Sequence, residues 1–409
     1  MRKPVMLIGL STAAVVGAGA FGVAAWTPQS SNLVTASGDE VVVYVSPPGE
    51  GDGGSAGDGG SAGDGGSVGD GGSGGEMGSG DGGGLAGGGT EMAAKSSSGG
   101  GSGSSGGSGS SKVNVTSLDE AEDALRQKGA TKGTVLVKGG RYKGQSFTWS
   151  YMPAGGEFTI KPQPGTGRPV FDGGGQDGYW TSVAAGDAKL HFRGMTVRNY
   201  VTGGIHFDGS KGGGGFSGGS VRNMIFERMG TIERGDRGYA ALHLQNVNNI
   251  DIANNDFWDL RNRLDEAAGT NPGQVHGIYF SEGGGKGSTV SGNTFHKITG
   301  DPVRASDGAG GIRVTGNTFK STGWYGVFTF WRFDRDRDCS TGSMFSGNTY
   351  GDGHPRRSEA TGKMKTQNFK GAPTRSGQDF KGAECKPEPI RNGSNSYAPN
   401  AGISMVNKG

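Results

Sequence analysis

Two imidazoles, a phenol and a guanidinium sit in short segments that look alike: Gly204-Ile205-His206-Phe207, Ala241-Leu242-His243-Leu244, Gly277-Ile278-Tyr279-Phe280 and Pro302-Val303-Arg304-Ala305. A fifth segment, Gly326-Val327-Phe328-Thr329, carries an aromatic ring at the equivalent place. Apolar and polar residues alternate in each, which is the pattern of a strand with one buried face. With Ile205, Leu242, Ile278, Val303 and Val327 inward, His206, His243, Tyr279, Arg304 and Phe328 point outward. The next outward set is Asp208, Gln245, Ser281, Ser306 and Phe330. Stacked about 4.8 Å apart, the first set forms one chemically loaded ladder.

Such a ladder suits the β-elimination of a uronic-acid polymer, which needs a cation for the carboxylate, a base for the α-proton and an acid for the leaving oxygen. Arg304 supplies a bidentate clamp, His243 a base that titrates near neutrality and Tyr279 a proton donor. His206, His276 and the loop residues Arg234 and Arg237 are candidates for binding neighbouring sugars, with Phe328 and Trp331 stacking on sugar faces. A glycoside hydrolase is the rival chemistry, and Glu282 and Asp307, each three residues past a ladder position, are the carboxylate pair it would use. The same pair is the weak calcium candidate, and calcium is the one cofactor the sequence suggests; a plain polar turn is the simpler reading of both residues. Lys286, inside Gly283-Gly284-Gly285-Lys286-Gly287, has the look of a phosphate cradle but lacks the strand-to-helix setting of one. Arg332 to Asp338 alternates Arg and Asp and reads as a salt-bridged turn.

The elements that must position these residues show as a repeat. Leu190–Val197 and Val221–Phe226 are its first copies, followed by Ile250–Phe257, then by SGNTF ending at Phe295, TGNTF ending at Phe319 and SGNTY ending at Tyr350. Each copy alternates apolar and polar residues and then reaches a Gly or Asn, residues that tolerate the left-handed conformation of a tight corner. A second strand follows each corner. The connection between the two is six residues long in three copies and enlarged at 227–240 and 258–276, beside His243 and Tyr279. Long loops there read as groove walls. Strands, corners and coil-length repeats specify parallel stacking rather than the hairpins of a sandwich. A capping box, Ser117-Leu118-Asp119-Glu120, opens a short helix that covers the first coil.

The GNTF corners, the GI-x-F strands and VHGIYF at Val275–Phe280 resemble the pectate-lyase-like superfamily of right-handed parallel β-helices over about residues 112–350. The resemblance implies an all-β solenoid with an N-terminal capping helix. It implies polysaccharide chemistry only loosely, because that superfamily also holds hydrolases, epimerases and non-catalytic surface proteins, and none of the diagnostic catalytic strings of its pectate lyase, polygalacturonase or pectin esterase branches is present.

The rest of the chain frames this region. Met1-Arg2-Lys3 and the apolar run to Trp26 read as a signal peptide over 1–25, with an uncleaved membrane anchor as the alternative. Residues 26–111, dominated by GDGGSA-type repeats in a chain with 88 glycines among 409 residues, read as a disordered tether. Residues 351–409 read as an irregular tail. Residues 1–111 hold three basic and ten acidic residues while the whole chain carries +2, so the folded part is strongly basic. A basic domain on an exported chain favours an acidic polysaccharide or cell-wall polymer over nucleic acid. No membrane contact is expected after signal cleavage, a monomer is expected, and Cys339 and Cys385 are expected to form a disulfide. The working reading is an extracellular β-helix that binds an acidic polysaccharide, with β-elimination favoured over hydrolysis should it cleave that polymer. A non-catalytic surface or adhesive β-helix and a glycoside hydrolase are the alternatives.

Overall fold

A computed structural model describes residues 40–48, 112–209, 215–230, 239–263, 273–333, 338–357, 363–378 and 390–399. Three long sheets of eleven, nine and eight strands account for almost all of it, and every pairing within them is parallel. Consecutive strands visit the first, second and third sheet in turn. Lys189–Arg193, Thr196–Tyr200 and Gly203–Asp208 form one such coil, and the next begins at Ser220–Arg222. The chain is a parallel β-helix, and its core is the space the three sheets enclose.

The corner between the first and second sheets explains the GN dipeptides. Asn254, Gly292, Gly316 and Gly347 have φ of 57°, 63°, 65° and 65°, the left-handed region that asparagine and glycine enter at low cost. The residue after each is a buried asparagine, and Asn255, Asn293, Asn317, Asn348 and Asn395 stack into an amide ladder. Each inner Oδ1 accepts both the backbone amide and Nδ2 of the asparagine one coil earlier, as Asn317 does from Asn293 at 2.9 and 3.0 Å. Each Nδ2 also donates to a carbonyl of the preceding coil, Val290 O for Asn317 at 2.8 Å. The full bonding capacity of a side-chain amide is thereby met where water cannot reach. Just beyond the corner, Phe226, Phe257, Phe295 and Phe319 stack inside the second sheet, with centroids 5.2, 4.7 and 4.7 Å apart.

The helix Leu118–Gln127 forms where the capping box places it. Ser117 Oγ accepts from the Glu120 amide at 3.2 Å, and the Glu120 carboxylate reaches back to the Thr116 amide at 2.7 Å. Leu118, Ala121 and Leu125 enter the core. The buried Glu122 ties the helix to the first coil by accepting from the amides of Ser150 and Tyr151.

Two boundaries differ from the sequence reading. Val41–Val45, inside the stretch read as tether, is a strand of the first sheet between Lys112–Val115 and Lys132–Val137, with Val43 and Val45 fully buried. Its five β-branched and aromatic residues suit a strand, whereas the run that follows has the composition of a linker. Beyond residue 350, Thr374–Gln378, Arg391–Asn392 and Ser396–Tyr397 extend the third, first and second sheets by a further coil. The signal segment 1–25, the repeats of 49–111 and Cys385 lie outside the described residues. Among the described residues no helix is long and apolar enough to cross a membrane.

Asn317→Ala should cost about 2–3 kcal/mol, because it strands the Asn293 amide and the Val290 carbonyl in the core. Urea denaturation, read as the shift in midpoint at constant slope, measures the loss.

Candidate functional site

On the third sheet the register pairs His206 with His243, His243 with Tyr279, and Tyr279 with Arg304. Stacking at one strand spacing turns these into a column of parallel rings. His206 and His243 lie 4.8 Å apart at 19°, and His243 and Tyr279 lie 5.0 Å apart at 7°. Tyr179, absent from the sequence reading, extends the stack by lying 5.0 Å from His206. It can do so because Gly203 stands beneath it, where a Cβ would meet the Tyr179 ring at 2.7 Å and the Ala240 carbonyl at 2.0 Å.

The next rung breaks the expected pattern. Val303 pairs with Phe328 and Arg304 with Thr329, so Phe328 points inward and is 0 % exposed. Phe328 is therefore a core residue and not a sugar-stacking one. The connection before this strand is one residue longer than the repeat implies, and a one-residue slip exchanges the faces of a strand. The same slip puts Trp331, not Phe330, in line with Ser306, where it is buried against Phe333 and not open for sugar stacking. One coil further, Arg375 pairs with Thr329 and joins the outward column. Sequence reading left Arg375 in the irregular tail, where no repeat marks its strand.

Burial sets the protonation of the column. The His243 imidazole is held down to about 3, first by burial and then by the neighbouring His206. Its ring nitrogens lie 3.2 Å from Tyr179 Oη and 3.2 Å from Ser281 Oγ. His206 Nε2 lies 2.9 Å from Gln245 Oε1. Tyr279 is raised above its ordinary value by burial, an effect opposed by Arg304, and its hydroxyl lies 2.9 Å from Ser306 Oγ.

His276 was expected to face a ligand, but it is 0 % exposed. Its Nδ1 lies 3.1 Å from the Asp301 carbonyl, which can only accept, so Nδ1 carries the proton. Burial and the Arg304 charge hold the imidazole neutral, and the bare Nε2 accepts from Arg304 Nη1 at 2.9 Å. His276 thus positions Arg304. The buried Asp301 carboxylate, also missed, accepts from the amides of Trp324, Tyr325 and Gly326 and from Thr329 Oγ1. It fixes the turn that presents Tyr325.

Arg304 is 4 % exposed. Its guanidinium carbon lies 5.7, 5.5 and 4.8 Å from the ring centroids of Tyr279, Trp331 and Phe333, and its Nε has no partner. Among the described residues no carboxylate lies within ion-pair distance of it. Arg375 is exposed and sits 5.2 Å from the Tyr325 ring and 5.9 Å from that of Trp331. Rings and two arginines therefore alternate at this end of the column.

The carboxylates read as a hydrolase or calcium pair are each engaged elsewhere. Glu282 accepts from Gln245 Nε2 at 2.7 Å, and Asp307 accepts from the Phe333 amide at 2.7 Å. Both residues are left-handed corners, with φ of 54° and 51°. No group of three or more metal-ligating side chains gathers among the described residues. Arg234 and Arg237 lie outside them.

Residues 178–348 match the family model for a right-handed β-helix region. The match covers the whole ring column and agrees with the parallel sheets, and it assigns the coil its hand without identifying a branch. The sequence matches no curated protein.

The depressed imidazole has a measurable consequence. Between pH 6.5 and about 3 the unfolded chain binds a proton at His243 that the folded chain does not. Stability therefore falls as the pH drops through that window. Ring-carbon NMR should show the His243 resonances unmoved from pH 9 to pH 5.

Proposed function

We propose that the outer face of the third sheet binds a carboxylated polysaccharide laid along the column. Arg304 and Arg375 would take carboxylates, and the Tyr325 and Phe333 rings would meet sugar faces, with the buried Trp331 packed behind them. The observation that carries this reading is the near-buried Arg304 guanidinium, which has no acidic partner among the described residues. A charge in that position is costly unless something compensates it, and a carboxylate on a ligand is the planar anion that its fork fits. The exposed Arg375 in the same column supplies a second point of attachment. The signal-like N-terminal segment, if it directs export, would place this face against an extracellular polymer.

Binding is better supported than cleavage. β-Elimination needs a strong base, and a general base works best near its operating pH, whereas His243 is held down to about 3 and both its nitrogens are engaged. One observation keeps a lyase as the second reading: Tyr279 is held protonated beside Arg304, where a proton donor to a leaving oxygen would stand.

Titration calorimetry of the purified chain with polygalacturonate and alginate, run alongside ultraviolet absorbance for unsaturated ends, separates the two. Arg304→Gln is expected to weaken binding about 10–100-fold, the worth of a charge-assisted bond. The exposed Arg375→Gln should weaken binding with the melting temperature unchanged. Absorbance that appears and is lost in Tyr279→Phe makes the protein a lyase, and unaltered affinity in both arginine variants removes the carboxylate reading. Cys339 and Cys385 are further expected to be linked; a thiol reagent that labels the chain before reduction would contradict this.

A further inference from the structure

The first sheet carries a second charged feature, on a wall of the coil that the ring column does not use. Its register aligns Thr289, Arg313, Met344 and Arg391 in one outward column. Beside this column three corner glycines follow one another, Gly287, Gly311 and Gly342, with φ of 72°, 69° and 69°. Left-handed corners without side chains leave a bare backbone floor. A Cβ on Gly311 would press on Lys286 Cα at 3.2 Å. Floor and column together line a groove of about 500 Å³, flanked by Lys286, Arg313 and Arg391.

Lys286 is the lysine of the glycine-rich loop, and its place in this groove gives that loop a role the ring column does not. Its position is set by the Lys286 amide donating to Asn248 Oδ1 at 3.0 Å. All three cations are exposed, and among the described residues none has an acidic partner within ion-pair distance. Among the described residues no acidic one lines the groove. Arg313 and Arg391 are two coil steps apart, about 10 Å by strand spacing, and Met344 between them is 37 % exposed. Among the described residues no aromatic ring lines the groove, so none of them would stack on a sugar face.

We propose that this groove is a second binding site, for a linear phosphate-bearing polymer whose successive charges meet Lys286, Arg313 and Arg391. A lysine acts on phosphate as a point charge. Two arginines at a fixed interval read charge spacing, and a floor of glycines admits a chain to the backbone. The site is independent of the ring column and adds a second, differently selective attachment to an extracellular polymer. One molecule would then hold a phosphate polymer on the first sheet and a carboxylated glycan on the third.

Fluorescence anisotropy of labelled long-chain polyphosphate, measured on the full chain across a salt series, tests this. The triple variant Lys286→Gln, Arg313→Gln, Arg391→Gln should lose at least 10-fold in affinity. Its slope of log K against log salt should be shallower by about 2, since each charge removed releases roughly 0.7 counterion fewer from a single-stranded polyanion. All three residues are exposed, so an unchanged melting curve is expected. Arg304→Gln should bind polyphosphate as the unaltered chain does, and the triple variant should retain polygalacturonate. Poly(glycerol phosphate) should displace polyphosphate from Arg304→Gln at least 10-fold better than polygalacturonate does. An unchanged salt slope in the triple variant, an equal loss in Arg304→Gln, or equal displacement by the two polymers would each overturn the assignment. Loss of polygalacturonate binding in Arg304→Gln bears only on the third sheet.

Discussion

Each coil must hand its backbone amides to the next at one strand spacing, and at the buried corner it must hand on a side-chain amide as well. The asparagine ladder from Asn255 to Asn395 meets both demands, with Asn293, Asn317 and Asn348 each saturating their donors and acceptors against neighbours above and below. A corner that failed would leave polar groups stranded in the core. Once the corners are locked in register, equivalent residues of successive coils are forced into contact. The Phe226–Phe319 stack inside the coil and the Tyr179–Tyr279 stack outside it are two results of that one translation.

The same stacking shapes the chemistry of the outer column. Rings pressed together at about 5 Å exclude water from one another, so His243 and His276 stay neutral and Tyr279 keeps its proton. Desolvation removes acid–base readiness from those positions and leaves the column's charge to its arginines, Arg304 and Arg375. A neutral imidazole can hold a guanidinium by accepting from it without cancelling its charge. His276 does this for Arg304. The column therefore presents flat rings and fixed positive charge more than groups poised to transfer protons.

The coil offers separate walls, and they differ in kind. The third sheet pairs arginine with rings and suits a sugar bearing a carboxylate. The first sheet sets lysine and arginine over glycine corners and suits charge alone. In both cases spacing along the axis comes from the strand-to-strand distance, so selectivity rests on which residue type each coil places in a column.

Alternation within a strand is a property of neighbouring residues, and for that reason the sequence alone determined the repeat, the left-handed corners at Gly292, Gly316 and Gly347, and the alignment of His206, His243, Tyr279 and Arg304. The capping helix was legible for the same reason, since its signal spans four consecutive residues. Only the tertiary structure decided that Phe328 turns inward, because one extra residue in a connection exchanges faces and nothing local records it. It alone brought Val41–Val45 and Arg375 into the coil from segments whose composition is that of linkers. The lack of an acidic partner for Arg304 among the described residues, and the burial of His276 that holds it, also depend on chain distant in sequence. Which atoms meet, and which are left without a partner, follows from how coils stack, and that is fixed by contacts between residues tens of positions apart.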